Sequence, residues 1–90
     1  MPLFAVICRD NLDMLQTRLD TRESHLAYLD RTGVTRIAGP FIENGAPCGS
    51  LIVIEADDID AARAWAADDP YQAAGLFAGV EVIEWKQVIG

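Results

Sequence analysis

Apolar residues in this chain fall into two kinds of run. Leu3-Phe4-Ala5-Val6-Ile7-Cys8 and Leu51-Ile52-Val53-Ile54 are nearly unbroken, which is how strands covered on both faces read. Arg9-Asp10-Asn11 closes the first as a polar turn, and the second belongs to a strand spanning Ser50 to Ala56. From Asn11 to about Thr32 the spacing changes. Leu12, Leu15, Leu19, Leu26 and Leu29 recur at helical intervals, with Asp13 near the start and Arg31 near the end, where the helix dipole favours each sign. Gly33 supplies the stop.

Val34 to Ile42 predicts a second strand interrupted by Gly39-Pro40; proline cannot donate to a ladder, so this strand belongs at an edge or carries a bulge. Glu43 to Gly49 is dense in turn formers and predicts the hairpin loop. Asp57 or Asp58 caps a helix over Ile59 to Ala67. Asp69 before Pro70 then reads as an N-cap followed by proline at the first helical position, so the second helix breaks and restarts before Gly75. Gly79 to Ile89 predicts the last strand.

The order is therefore βαββαβ on a single domain spanning residues 1–90, the ferredoxin-like α+β plan of an antiparallel four-stranded sheet with both helices on one face. Two helices leave the other face bare although the first and third strands are apolar on both sides. The expected cover is a second copy, giving a homodimer through the sheet face.

Composition narrows the partners. About half of the 90 residues are hydrophobic, at the apolar end for a domain too small to bury much surface alone. Seven basic against fourteen acidic residues leave a net charge of −7, which repels nucleic acid and anionic membranes. No segment reaches the roughly 20 apolar residues of a membrane span. Met1 runs directly into a strand-like segment with neither a basic stretch nor an A-x-A site, so the expected location is cytoplasmic. Cys8 and Cys48 are read as free thiols, and one histidine with two scattered cysteines offers no metal cluster. No cofactor is called for.

His25 is the only histidine. At 100° per residue from Leu26, Leu15, Leu19 and Leu29 fall near −20°, +20° and −60°, so the first helix presents a narrow leucine stripe. Arg22 falls inside it at about −40° and His25 at its border near −100°, three residues on and adjacent on the helix surface. Such an arginine snorkels to water, pairs with carboxylates on the Glu23 side or in a loop, or anchors an anionic or carbonyl-bearing ligand. A histidine working as a general base takes a carboxylate on its other nitrogen. Asp69, held at the helix break, is the foremost local candidate, while spacing alone also admits Asp20, Asp30 and Asp68. Ser50 opens the third strand and can donate to a ligand; Tyr71, just past the break, is placed to line a cleft.

Several segments together resemble the YCII-related (YciI-like) proteins: FAVICRD, RLDTRESHLAYLD, IAGPF, GSLIVIEADD and AARAWAADDPYQAAGLF. The most specific parts are R-x-x-H on the first helix, G-P on the second strand, G-S opening the third and D-P-Y-x-x-A-G after the second helix. The resemblance implies a dimeric α+β barrel of ferredoxin-like protomers with a pocket around a His-Asp pair, here His25 and Asp69. Arg22, Pro40, Ser50 and Tyr71 would lie at or near that pocket. A family relative is a dehydrochlorinase of a chlorinated hydroxyquinol, which implies proton-transfer or elimination chemistry, of lyase or isomerase type, on a small cyclic or phenolic molecule. The rival reading is a noncatalytic dimeric module that binds a small ligand or a partner protein.

Overall fold

The computed structural model describes residues 1–90. The elements are β1 (Leu3–Asp10), α1 (Leu15–Thr32), β2 (Thr35–Glu43), β3 (Ala46–Glu55), α2 (Ile59–Ala67), α3 (Pro70–Ala73) and β4 (Phe77–Trp85). The strands form one sheet in the order β2-β3-β1-β4, every neighbouring pair antiparallel. This is the expected ferredoxin-like α+β topology, with the two apolar strands β1 and β3 at its centre.

Strand alternation sorts the residues between faces. Phe4, Val6 and Cys8 of β1 and Ile52 and Ile54 of β3 point the same way and close over Ala62 and Ala66 of α2 as one buried cluster. Small alanines let α2 approach the sheet closely. α1 is tied to α2 by polar contacts: the Tyr28 hydroxyl donates to the Trp65 carbonyl at 2.7 Å, and Trp65 Nε1 donates to Thr32 Oγ1 at 3.0 Å. The opposite face carries Leu3, Ile7, Leu51, Phe41, Ile37, Ile83 and Trp85, with the last three exposed.

Several boundaries differ from the sequence reading. α1 starts at Leu15 rather than Asn11, because Asp13 adopts a left-handed conformation (φ 59°) and Met14 offers no side-chain cap, so Asp13 is outside the first turn. Gly33 does end the helix in the left-handed conformation, its N–H reaching the Leu29 carbonyl. The hairpin contracts to Asn44-Gly45, both at positive φ, and β3 begins four residues earlier than Ser50, at Ala46. Two residues that accept positive φ suffice for a tight turn, so the flanking Ala46 and Pro47 stay paired with Glu43 and Ile42, and Cys48 is passed over at a bulge. β2 is an edge strand, which is where Pro40 is tolerated. β4 runs from Phe77 to Trp85 instead of Gly79 to Ile89; Val88 and Ile89 lie beyond the sheet, fully exposed.

The leucine stripe is the largest departure. Leu15, Leu19 and Leu26 are each more than two-fifths exposed, and the buried residues of α1 are Arg18, His25 and Tyr28. On the same wheel these lie near −80°, −100° and −160°, so the buried face is turned by roughly 100° from the leucines. Arg22 is consequently exposed rather than turned inward.

Candidate active site

His25 and Asp69 come together across 44 residues of sequence. Asp69 is the second of the two residues between α2 and α3, and the helix break orients it. Its backbone is extended, its Oδ1 caps α3 by accepting from the Tyr71 N–H at 2.9 Å, and Pro70 at the first helical position leaves no competing donor. Backbone bonds from Asn11 N–H to the Leu76 carbonyl (2.8 Å) and from Leu76 N–H to the Tyr71 carbonyl (3.1 Å) pin this short helix to the end of β1.

From α1, His25 Nδ1 meets both Asp69 oxygens, at 2.9 and 3.0 Å. An ionised carboxylate only accepts, so Nδ1 carries the proton and Nε2 is the basic nitrogen of the neutral ring. Nε2 has no protein partner, is not sealed from solvent, and belongs to a residue lining a cavity. The imidazole stacks on the Tyr71 ring, centroids 4.1 Å apart and planes 18° from parallel, so its tilt is restrained on a second side. Asp69 is 2% exposed and His25 6%. Asp20, Asp30 and Asp68, admitted by spacing, make no bond to His25.

The cavity measures about 210 Å³ and lies between α1 and strands β2 and β3. Its apolar wall comes from Leu19, Leu26, Leu29, Pro40 and Ile52, so the stripe leucines other than Leu15 face the cavity. Its polar side is Arg18, Arg22, His25, Ser50 and Tyr71. All six residues singled out from the sequence thus meet here, five as lining and Asp69 behind His25. Arg22 sits at the rim without a carboxylate partner. A larger, shallower groove of about 450 Å³ between α2 and β4 has exposed Arg63, Gln72 and Glu81 as its polar lining but no buried polar group, and so lacks the means to fix a ligand.

Sequence reasoning missed Arg18 and Asp10. Strand alternation turns Asp10 to the helix side, where its carboxylate takes Arg18 Nε at 2.7 Å and Nη2 at 2.8 Å, and Nη2 also donates to Ser50 Oγ at 3.0 Å. Arg18 is 4% exposed, and its Cζ lies 4.7 Å from the Tyr71 ring centroid. Burial works against its charge, but the hydrogen bonds and charge of Asp10 outweigh that and raise its pKa above the ordinary arginine value. The signal was available: Arg18 is seven residues before His25, two turns away and about 20° from it on the wheel. Burial also raises the Tyr71 hydroxyl pKa, against the opposing effect of Arg18. Cys8, beneath the site, is pushed up to about 12, first by burial and then by the Asp69 charge, so its thiol stays protonated. No three His, Cys, Asp or Glu residues cluster as a metal site would require, and no helix is long and apolar enough to cross a membrane.

Residues 2–86 match the YCII-related domain. The chain belongs to the YCII-related family. It is 35% identical to Protein YciI of Escherichia coli O6:H1 over 96% of this chain and 98% of that protein. It is 33% identical to an uncharacterized protein of Haemophilus influenzae over 94% and 97%. Among solved structures it superposes on 5-chloro-2-hydroxyhydroquinone dehydrochlorinase (TftG) of Burkholderia phenoliruptrix AC1100, crystallised in complex with 2,5-dihydroxybenzoquinone. The TM-score is 0.89 at 32% identity, covering 96% of this chain and 95% of that one. An antibiotic biosynthesis monooxygenase, at TM-score 0.60 and 10% identity over 99% and 100% of the chains, shares the fold alone.

Proposed function

We propose that this YCII-related chain, a single unit over residues 1–90, is a small cytoplasmic enzyme that moves a proton on a monocyclic phenolic molecule, in an elimination or isomerisation that needs no cofactor. The observation that carries the reading is the open Nε2 of a histidine whose Nδ1–H is held by a buried carboxylate. That arrangement makes one nitrogen basic, fixes its direction and stabilises the imidazolium that follows. A cavity of about 210 Å³ with an apolar wall suits a single ring. The likeness to a dehydrochlorinase supports elimination as the reaction type.

For a chlorinated hydroxyquinol the steps balance without an oxidant. His25 Nε2 takes a ring hydroxyl proton, the electron pair moves through the ring, and the imidazolium returns the proton to the carbon bearing chlorine. His25 Nε2, neutral again, takes a second hydroxyl proton as chloride leaves, for a net loss of HCl. Arg22 at the rim and Ser50 at the polar end hold ring oxygens that gain charge, while Pro40 and Tyr71 shape the walls. The working unit is a homodimer through the open sheet face.

Chloride release from 5-chloro-2-hydroxyhydroquinone tests this. The wild type should release chloride, and His25→Ala, folded by circular dichroism, should lose at least about 100-fold in kcat, the scale of a lost general base. Absent release refutes the reading in favour of a noncatalytic binding module, and release unchanged in the variant refutes His25 as the base.

A further inference from the structure

Arg18 is the one buried charge at the cavity that proton transfer leaves unused. A buried arginine-carboxylate pair is weak grounds for stability, since apolar residues of similar size often serve as well. A leucine at this position would simply continue the wall. The Nε/Nη2 edge of the guanidinium is already closed by Asp10 at 2.7 and 2.8 Å, and the remaining Nη2 hydrogen is spent on Ser50 at 3.0 Å.

Ser50 is thereby constrained. A hydroxyl has one hydrogen to give, and an oxygen accepting from a guanidinium directs its own hydrogen away from that cation. The Ser50 oxygen accepts from Arg18 and donates to nothing in the protein, although the residue is 4% exposed and lines the cavity. Resting on the same pocket as the proposed reaction, we infer that Arg18, clamped by Asp10, aims the Ser50 O–H into the cavity as a donor for one ring oxygen of the ligand, a carbonyl or an ionised hydroxyl. Arg18 is a positioning residue, and the charge-assisted bond it makes to Ser50 polarises the hydroxyl into a stronger donor. With its forked edge occupied, this end of the pocket cannot grip a carboxylate bidentately. The ligand class it selects is the hydroxyquinone or phenolate, not the aromatic acid.

Calorimetric titration separates the roles, with 2,5-dihydroxybenzoquinone as the probe and benzoate as the carboxylate comparator. The wild type should bind the quinone, and benzoate at least about tenfold more weakly; Ser50→Ala should raise Kd for the quinone by about 10- to 100-fold, as for a lost hydrogen bond to a charged oxygen. Arg18→Lys, which keeps the charge beside Asp10 but cannot serve carboxylate and hydroxyl with one planar fork, should reproduce that loss. In an Arg18→Met/Asp10→Leu background, which leaves no orphan charge, adding Ser50→Ala should cost no more than about twofold, because the hydroxyl has lost its director. A wild type that ignores the quinone or prefers benzoate, Ser50→Ala binding unchanged, or the same Ser50→Ala loss in both backgrounds would overturn the inference. None of these measurements involves turnover. A chain that binds as described yet releases no chloride refutes only the proposed reaction.

Discussion

At the scale of single residues, the candidate site depends on groups whose protonation is settled by what surrounds them. The Nδ1 proton of His25 is assigned by an acceptor-only carboxylate, and the Cys8 thiol is kept neutral by burial and by Asp69. The thiol makes a pH prediction. Its folded pKa, about 12, lies above its unfolded value, so the folded chain holds that proton after the unfolded chain has released it. The stabilisation is complete below the unfolded thiol pKa and is lost as pH rises from roughly 9 towards 12, by about 1.4 kcal/mol for each pKa unit of difference. Tyr28 and Tyr71, both raised chiefly by burial, act in the same direction. Urea unfolding between pH 7 and 11 should show this alkaline decline in the wild type and a shallower one in Cys8→Ala; parallel curves would contradict it.

His25 and Asp69 could be singled out from the sequence because chemistry-bearing types there coincide with local signals: a lone histidine on a periodic helix, and an aspartate before a proline. Arg18 shares His25's side of the helix two turns earlier, but nothing local marks what it meets. Its partner Asp10 lies on another element, and only strand alternation combined with the helix's rotation shows that the two meet.

At the scale of elements, the same device is used twice with different consequences. Asp58 caps α2 by accepting from the Ala61 N–H at 2.8 Å on an exposed turn, and Asp69 caps α3 while also holding His25. Replacing Asp58 with alanine should cost about 1 kcal/mol, the ordinary value of an N-cap. Asp69→Ala strips partners from two buried donors, His25 Nδ1–H and Tyr71 N–H, and should cost about 3 kcal/mol or more, at about 1–3 kcal/mol for each group left unsatisfied. Thermal unfolding of the two variants gives the comparison; equal losses would mean that Asp69 is only a cap.

Helix α1 shows where element-level reading stops. Its C-terminal end, its stop glycine and its leucine period are local properties and legible, but its start at Leu15 and the direction it faces are not. Leucines predict the buried side only if the neighbouring layer is apolar throughout. Here the layer beside them is a cavity, and the side that packs carries Arg18, His25 and Tyr28, which are held by Asp10, Ser50, Asp69 and the Trp65 carbonyl while His25 Nε2 stays open.

At the scale of the whole molecule, the sheet presents a helix-covered face that holds the core and a bare one bearing exposed Ile37, Ile83 and Trp85. In the proposed homodimer this bare face is self-complementary, so a charge placed there meets its own copy or a hydrophobic neighbour across a two-fold axis. Ile83→Lys should therefore turn a dimer into a monomer by analytical ultracentrifugation at micromolar concentration, without loss of secondary structure. A wild-type monomer under those conditions would refute the dimer.

The order of elements and the βαββαβ topology were determined by the sequence alone, because periodicity, caps and turn residues act within a few positions of one another and connection rules leave few ways to join the pieces. The local geometry of Asp69 belongs with them. Tertiary structure decided which side of α1 is buried, that Arg22 stays at the rim while Arg18 enters, and that Asp10 and Ser50 complete the polar end of the cavity. Those outcomes depend on how far a helix stands from a sheet and on which buried charges find partners there, a balance of desolvation against hydrogen bonding that exists only once the layers have come together.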